Sequence, residues 1–168
     1  MNIREKICVL LFEKSKIPYA RVFKRKKIPW SCDKSGLLKM KKGTLGHQMG
    51  EFLERNGFEL IPRLERHDAY HILTGYQTDV KDEIALQYLC FGNGKRSKYL
   101  FLVLVCGTIL NPEHWQYFQK SYRIGKNARR FYHWDFKDFL SHDLEELQKW
   151  VFRKRESMVE LSELQTII

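Results

Sequence analysis

A chain of 168 residues is long enough for one domain with its own core, and 43% hydrophobic with 14% aromatic residues is too apolar for a disordered chain. Thirteen of the 30 basic residues and only three acids fall in residues 1–45, so that quarter carries the whole formal net charge of +10 and the other 123 residues are balanced. The four cysteines include no C-x-x-C pair, which excludes a zinc ribbon or thioredoxin-like redox motif and points to a reducing compartment.

No apolar run is long enough to cross a membrane. The longest, Tyr99 to Leu110, has twelve residues and is interrupted by Gly107. Arg4, Glu5 and Lys6 precede a short apolar run with no small-residue cleavage site after it, so no signal peptide is expected.

In chain order, Ile3, Ile7, Leu10 and Leu11 have helical spacing and predict a helix over 2–16, with Pro18 just beyond. Residues 17–43 read as basic and irregular, broken by Pro18, Pro29 and Gly36. Thr44 is a candidate cap for a second helix. Leu45, Met49, Phe52 and Leu53 form its stripe, and Asn56-Gly57 its stop. Pro62 suits the first turn of a third helix running to about Thr74, with Gly75 ending it. Asp79 is placed to cap a fourth, buried through Ile84, Leu86, Tyr88 and Leu89 and stopped by Gly92-Asn93-Gly94. Residues 98–110 read as an apolar helix by their length. Asn111-Pro112-Glu113 starts another, to about Ile124. Residues 127–152 are expected to be helical with a break near Ser141, and the chain after 156 to be frayed.

The fold class expected is all-α: a single-domain bundle of about six or seven helices over residues 1–168. It comprises a basic N-terminal helix and irregular segment (1–43), a helical core (44–152) and a tail (153–168).

The chemistry is concentrated in His67-Asp68-Ala69-Tyr70-His71 and Glu83. Two histidines four apart project from one helix face, one turn apart, and can grip one metal ion. Most H-x-x-x-H pairs are surface or core residues. Here the short turn Gly75 to Thr78 folds the next helix back and lets Glu83 meet the pair. Asp68 is rotated by about 100° from His67 and reads as a flanking ligand or as a partner orienting one. Two imidazoles and one or two carboxylates suit zinc first, with iron, manganese or magnesium as alternatives.

The segment from Glu65 to Tyr88 resembles the coenzyme Q (ubiquinone) biosynthesis family called Coq-four. That family's signature is His-Asp-x-x-His, eleven residues, then Glu; it falls here on His67, Asp68, His71 and Glu83. The resemblance extends to Glu65, Leu73, Gly75, Thr78 and Ile84, to the Gly-x-Leu-Gly helix at Gly43 to Gly57, and to Gly125, Ala128 and the stretch from Trp134 to Val151. It implies an all-helical fold, a divalent metal on those four residues, and peripheral association with a membrane. It also implies work on a polyprenylated aromatic quinone precursor, either oxidative decarboxylation at ring carbon one or a non-catalytic, lipid-binding scaffold role in a biosynthetic complex. By the same resemblance the chain is expected in the cytoplasm against the inner membrane if bacterial, or on the matrix side of the mitochondrial inner membrane if eukaryotic. The partners it implies are other quinone-biosynthesis proteins and a second copy of the chain. The sequence departs from the family where Pro62-Arg63-Leu64 replaces a frequent Arg-Tyr-Arg, and where Gly94-Lys95-Arg96-Ser97-Lys98 replaces a glycine- and proline-rich stretch.

Two features lie outside that motif. His133, His142 and Asp143 read as surface residues. Phe131, Tyr132, Trp134, Phe136 and Phe139 read as core, with a groove for an isoprenoid tail, walled also by Tyr99 to Leu110, as the functional alternative. The basic zone Lys24-Arg25-Lys26-Lys27, with Tyr19, Phe23 and Trp30 interleaved, fits an anionic membrane surface better than nucleic acid, for which no motif is present. Replacing those four residues by Gln should reduce sedimentation with anionic liposomes, by an amount that shrinks as salt rises. Equal binding to neutral and anionic vesicles would refute the electrostatic reading.

Overall fold

The computed structural model describes residues 28–152 continuously and, before them, Ile3, Arg4, Lys6, Ile7, Leu10, Lys14 and Pro18. Those seven are helical and exposed, and the other residues of the helix expected over 2–16 lie outside the described residues. The tetrabasic segment 24–27 and the tail after Phe152 lie outside the described residues.

The expected all-α class is what the chain adopts. Within residues 28–152, seven α-helices follow in order: α1 (Lys34–Leu38), α2 (Leu45–Arg55), α3 (Glu65–Thr74), α4 (Val80–Gly92), α5 (Lys98–Leu110), α6 (Trp115–Asn127) and α7 (Leu144–Val151). Short 3₁₀ turns at Pro112–His114 and Phe136–Phe139 precede α6 and α7. Among the described residues the sole β pairing is an isolated bridge between Thr44 and Asp143. No helix there is long and apolar enough to cross a membrane.

Side-chain caps start most helices. Asp33, Thr44, Asp79, Ser97 and Asp143 each accept a backbone N–H in the first turn of the helix they precede, satisfying a donor the helix cannot. α3 differs. Pro62 does not open it: Arg63 sits in the left-handed region at φ 72, which no helix can continue through, so α3 begins at Glu65 without a side-chain cap. The stretch 17–43 also holds α1, whose five residues are too few to leave a periodic signal.

The core is one cluster to which α1–α4, α6, α7 and the loop before α7 contribute. α4 and α6 form its closest helix pair. A methyl group at Gly92 would overlap the Tyr122 carbonyl, and one at Gly125 the Leu89 carbonyl, so the two backbones meet where only hydrogen fits. Nearby, Tyr88 and Phe118 stack with centroids 5.3 Å apart. α5 lies on α4 through Gly107 against Ile84 and a Tyr88–Thr108 hydroxyl bond of 2.6 Å. Its other face leaves Phe101, Leu102, Val105 and Ile109 exposed.

The expected helix over 127–152 is replaced by an irregular segment to Asp143 followed by α7. Asn93 explains why. Its Oδ1 accepts the N–H groups of Phe131 and Tyr132 at 2.8 and 3.0 Å, and its Nδ2 donates to the carbonyls of Gly125 and Arg129 at 3.1 and 2.9 Å. One buried amide thus does for this loop what helical bonds would have done. Phe131 and Phe136 then drive into the core against Tyr70, while Trp134 stacks on Phe139 and Trp150. These aromatics pack on one another, as expected of core.

Asn93→Ala should therefore lower the free energy of unfolding by roughly 3 kcal/mol, because four backbone groups lose their partner. Asn93→Asp should not restore it, since a carboxylate cannot donate to the two carbonyls. Urea titration of the three proteins checks both statements.

Candidate metal centre

His67 and His71 lie on α3, four residues apart and therefore on one face. Gly75, left-handed at φ 77, ends α3, and Asp79 starts α4 with its carboxylate on the Asp82 N–H at 3.0 Å. Between them the turn is bolted down. Asp82, fully buried, accepts the Gln77 N–H and the Tyr117 hydroxyl, each at 2.7 Å, and the Tyr76 hydroxyl donates to Ser121 at 2.7 Å. That fixed turn brings Glu83, in the first turn of α4, opposite the histidine pair.

Glu83 Oε2 lies 3.0 Å from His67 Nε2, and Oε1 lies 3.3 Å from His71 Nε2. The two imidazole nitrogens are 3.3 Å apart. His67, His71 and Glu83 each offer one ligand atom, and these atoms lie within 4.8 Å of one another. Tetrahedral zinc with bonds of about 2.0–2.1 Å needs ligand atoms separated by distances of this order. His71 Nδ1 donates to the Tyr76 carbonyl at 3.0 Å, which fixes its tautomer and leaves Nε2 for an ion. Phe52 stacks on the same ring at 5.6 Å and helps bury it. The donor set, its spacing and the orienting carbonyl fit a divalent metal. The His71 side chain is only 2% exposed, but those of His67 and Glu83 are 31% and 24% exposed, so one side of the triad faces outward.

Asp68, the fourth expected ligand, is not in the triad. Its charge acts from nearby, helping to favour protonated His71. His133, His142 and Asp143 do not converge with it: all three are exposed, and Asp143 caps α7. Tyr76, Asp82 and Tyr117 were not singled out as site residues; only Asp82, three residues after a cap, carried any local signal.

The electrostatics are those of a carboxylate shared by two imidazoles. Burial pushes Glu83 up, but the charge and hydrogen bonds of His67 and His71 outweigh it and hold the carboxyl well below its usual range. Burial likewise pushes His71 down, and Glu83, the Tyr76 carbonyl and Asp68 overcome it, leaving His71 raised. For His67 burial prevails over Glu83, with His71 and Lys95 adding to it, so that imidazole is lowered.

A sequence model of the coenzyme Q (ubiquinone) biosynthesis protein Coq4 matches residues 60–154, more than half of the chain and including all four motif residues. The chain belongs to the Coq4 family. Its fold is similar to the crystal structure of a protein from Nostoc punctiforme PCC 73102 assigned to ubiquinone biosynthesis, with a TM-score of 0.64 at 18% identity, over 91% of this chain and 83% of that one. No curated protein is a significant match.

In the metal-free protein the triad should make stability depend on pH at both ends. A lowered Glu83 contributes above its unfolded value of about 4.3, and that contribution is lost as pH falls. A raised His71 contributes below about 6.5, and that contribution is lost as pH rises through its folded value. The stability gap between wild type and Glu83→Gln should therefore be widest between about pH 5 and 6.5 and close on either side. Urea titrations in chelator across this range check it; a flat gap would contradict the lowered Glu83 and raised His71.

Proposed function

We propose that the chain binds one divalent metal, zinc by preference, through His67, His71 and Glu83 with Asp68 beside them. There it acts on a polyprenylated aromatic quinone precursor bearing a carboxylate at ring carbon one. The observation that supports this most is the triad itself: two nitrogens and one carboxylate at contact distances, with one side outward. Catalytic zinc sites keep three protein ligands and an open position, whereas structural sites close all four.

When bound, the ion supplies Lewis-acid polarisation of a phenolic or carboxylate oxygen. The protein's own groups supply the rest. The Tyr76 carbonyl keeps His71 in one tautomer, and Phe52 shields its ring from water. Glu83 lies within reach of both imidazoles and would offset part of the ion's positive charge. In this reading the ring carboxylate leaves as carbon dioxide, its electron pair stays on ring carbon one, and a proton from solvent takes the vacated position; an oxidative route would in addition consume an external oxidant such as dioxygen. Presentation of the precursor to partner enzymes is the alternative role; a fourth protein ligand closing the site would favour it.

His67→Ala and His71→Ala should each lower metal content to well below one ion per chain, while Glu83→Gln, which keeps a neutral amide oxygen, should weaken binding less. Elemental analysis of gently purified proteins, with mass spectrometry of co-purified lipid, tests the reading. Full occupancy in the double histidine variant would overturn the site.

A further inference from the structure

α4 ends in a full left-handed C-terminal cap. The Gly94 N–H reaches the Phe91 carbonyl at 3.1 Å and the Lys95 N–H the Cys90 carbonyl at 3.0 Å, with Gly94 at φ 111. The Tyr132 ring closes over Gly94, where an added methyl would sit 3.0 Å from its Cε1. The backbone of Lys95 is thereby fixed, and its side chain turns back along α4. Lys95 Nζ lies 3.4 Å from Gln87 Oε1 and 5.4 Å from the centre of the Tyr70 ring. Gln87 is buried and lies four residues after Glu83, on the same face of α4 and about 6 Å further along. Tyr70 lies three residues after His67 on the facing helix. Lys95 is half-buried and, among the described residues, makes no ion pair. A cation so placed has a neutral amide and a ring face for company, and lacks a counter-charge.

We propose that Lys95, with Gln87 and the Tyr70 ring, forms an anion subsite one helical turn beyond the metal centre. It takes the carboxylate or phosphate of a ligand whose oxygen reaches His67, His71 and Glu83. This deepens the function proposed above and rests on it for the position of the neighbouring ion, while the charge of Lys95 acts with or without that ion. An anion seated between them would offset both positive centres.

The test is titration calorimetry with three small probes: benzoate, phenyl phosphate and the uncharged benzamide. The proteins are zinc-loaded and metal-free wild type, Lys95→Met and Lys95→Arg. Wild type should bind at least one anion about tenfold tighter than benzamide, Lys95→Met should lose that preference, and Lys95→Arg should keep it. Preference for benzoate alone assigns a carboxylate and preference for phenyl phosphate alone a phosphate. Metal content and melting temperature should be the same in all three proteins, which separates loss of charge from loss of fold. Wild type that prefers neither anion, or Lys95→Met that prefers one as strongly as wild type, overturns the subsite. If instead the histidine variants retained their metal, the metal reading would fail, yet a Lys95-dependent preference in metal-free protein would still uphold the subsite.

Discussion

The site depends on the tightness of one turn. Three ionisable side chains from two helices meet within about hydrogen-bonding distance, and none of them could hold that place if the segment from Gly75 to Asp79 breathed. Asp82 is what prevents it. A buried carboxylate is costly unless its oxygens are satisfied, and this one is satisfied only when the Gln77 N–H and the Tyr117 hydroxyl are both in place. The same constraint raises the Tyr117 phenol: burial pushes it up, and its bond to the carboxylate adds to the shift, so it stays protonated and donating. The turn is therefore tied to α6 at two hydroxyls, Tyr117 and Tyr76, and α6 is tied in turn to α4 by the glycine contact. Ligand geometry on α3 and α4 is thus set by a helix that contributes no ligand.

This arrangement also explains why the core and the site are not separable. Phe52 buries His71 from α2, Tyr70 on α3 receives Phe131 and Phe136 from the irregular segment, and Asn93 at the end of α4 holds that segment's backbone. Each helix that carries a candidate ligand uses its remaining faces to anchor the loops around it.

Much of this was legible from local pattern. Caps at Thr44 and Asp79, stops at Gly57 and Gly75 and the stripe of α2 act within a few residues, so sequence spacing displays them directly. The meeting of Glu83 with the histidines was legible for the same reason: a short turn leaves two helices one way to pair. What local pattern could not show is anything set from far along the chain. Phe131 and Trp134, three apart, mimic helical spacing, and Asn93, 38 residues before Phe131, holds the irregular backbone there. Arg63 in the left-handed region and the carbonyl of Tyr76 as partner to His71 carry no residue-type signal, because any residue has a backbone. Lys34, counted with the basic zone, is paired with Glu54 and Glu59 at 3.2 and 2.6 Å, so part of that charge is internal to the fold.

The stack of Trp134 on Trp150, with ring centroids 5.0 Å apart and Arg129 over the Trp150 face, has an optical consequence. Two indoles at that separation and inclined at 29° should couple their strong far-ultraviolet transitions, giving a circular dichroism couplet expected to disappear when the irregular segment detaches from α7. Trp30 instead donates its backbone N–H to Glu65 at the start of the histidine helix, at 3.2 Å. Of the four tryptophans, Trp134 and Trp150 thus report on the C-terminal packing, Trp115 packs on Tyr88, and Trp30 is tied by its backbone to the helix of the candidate metal centre. Whether these signals are lost together or in sequence during denaturation reports whether the bundle melts as one cooperative unit.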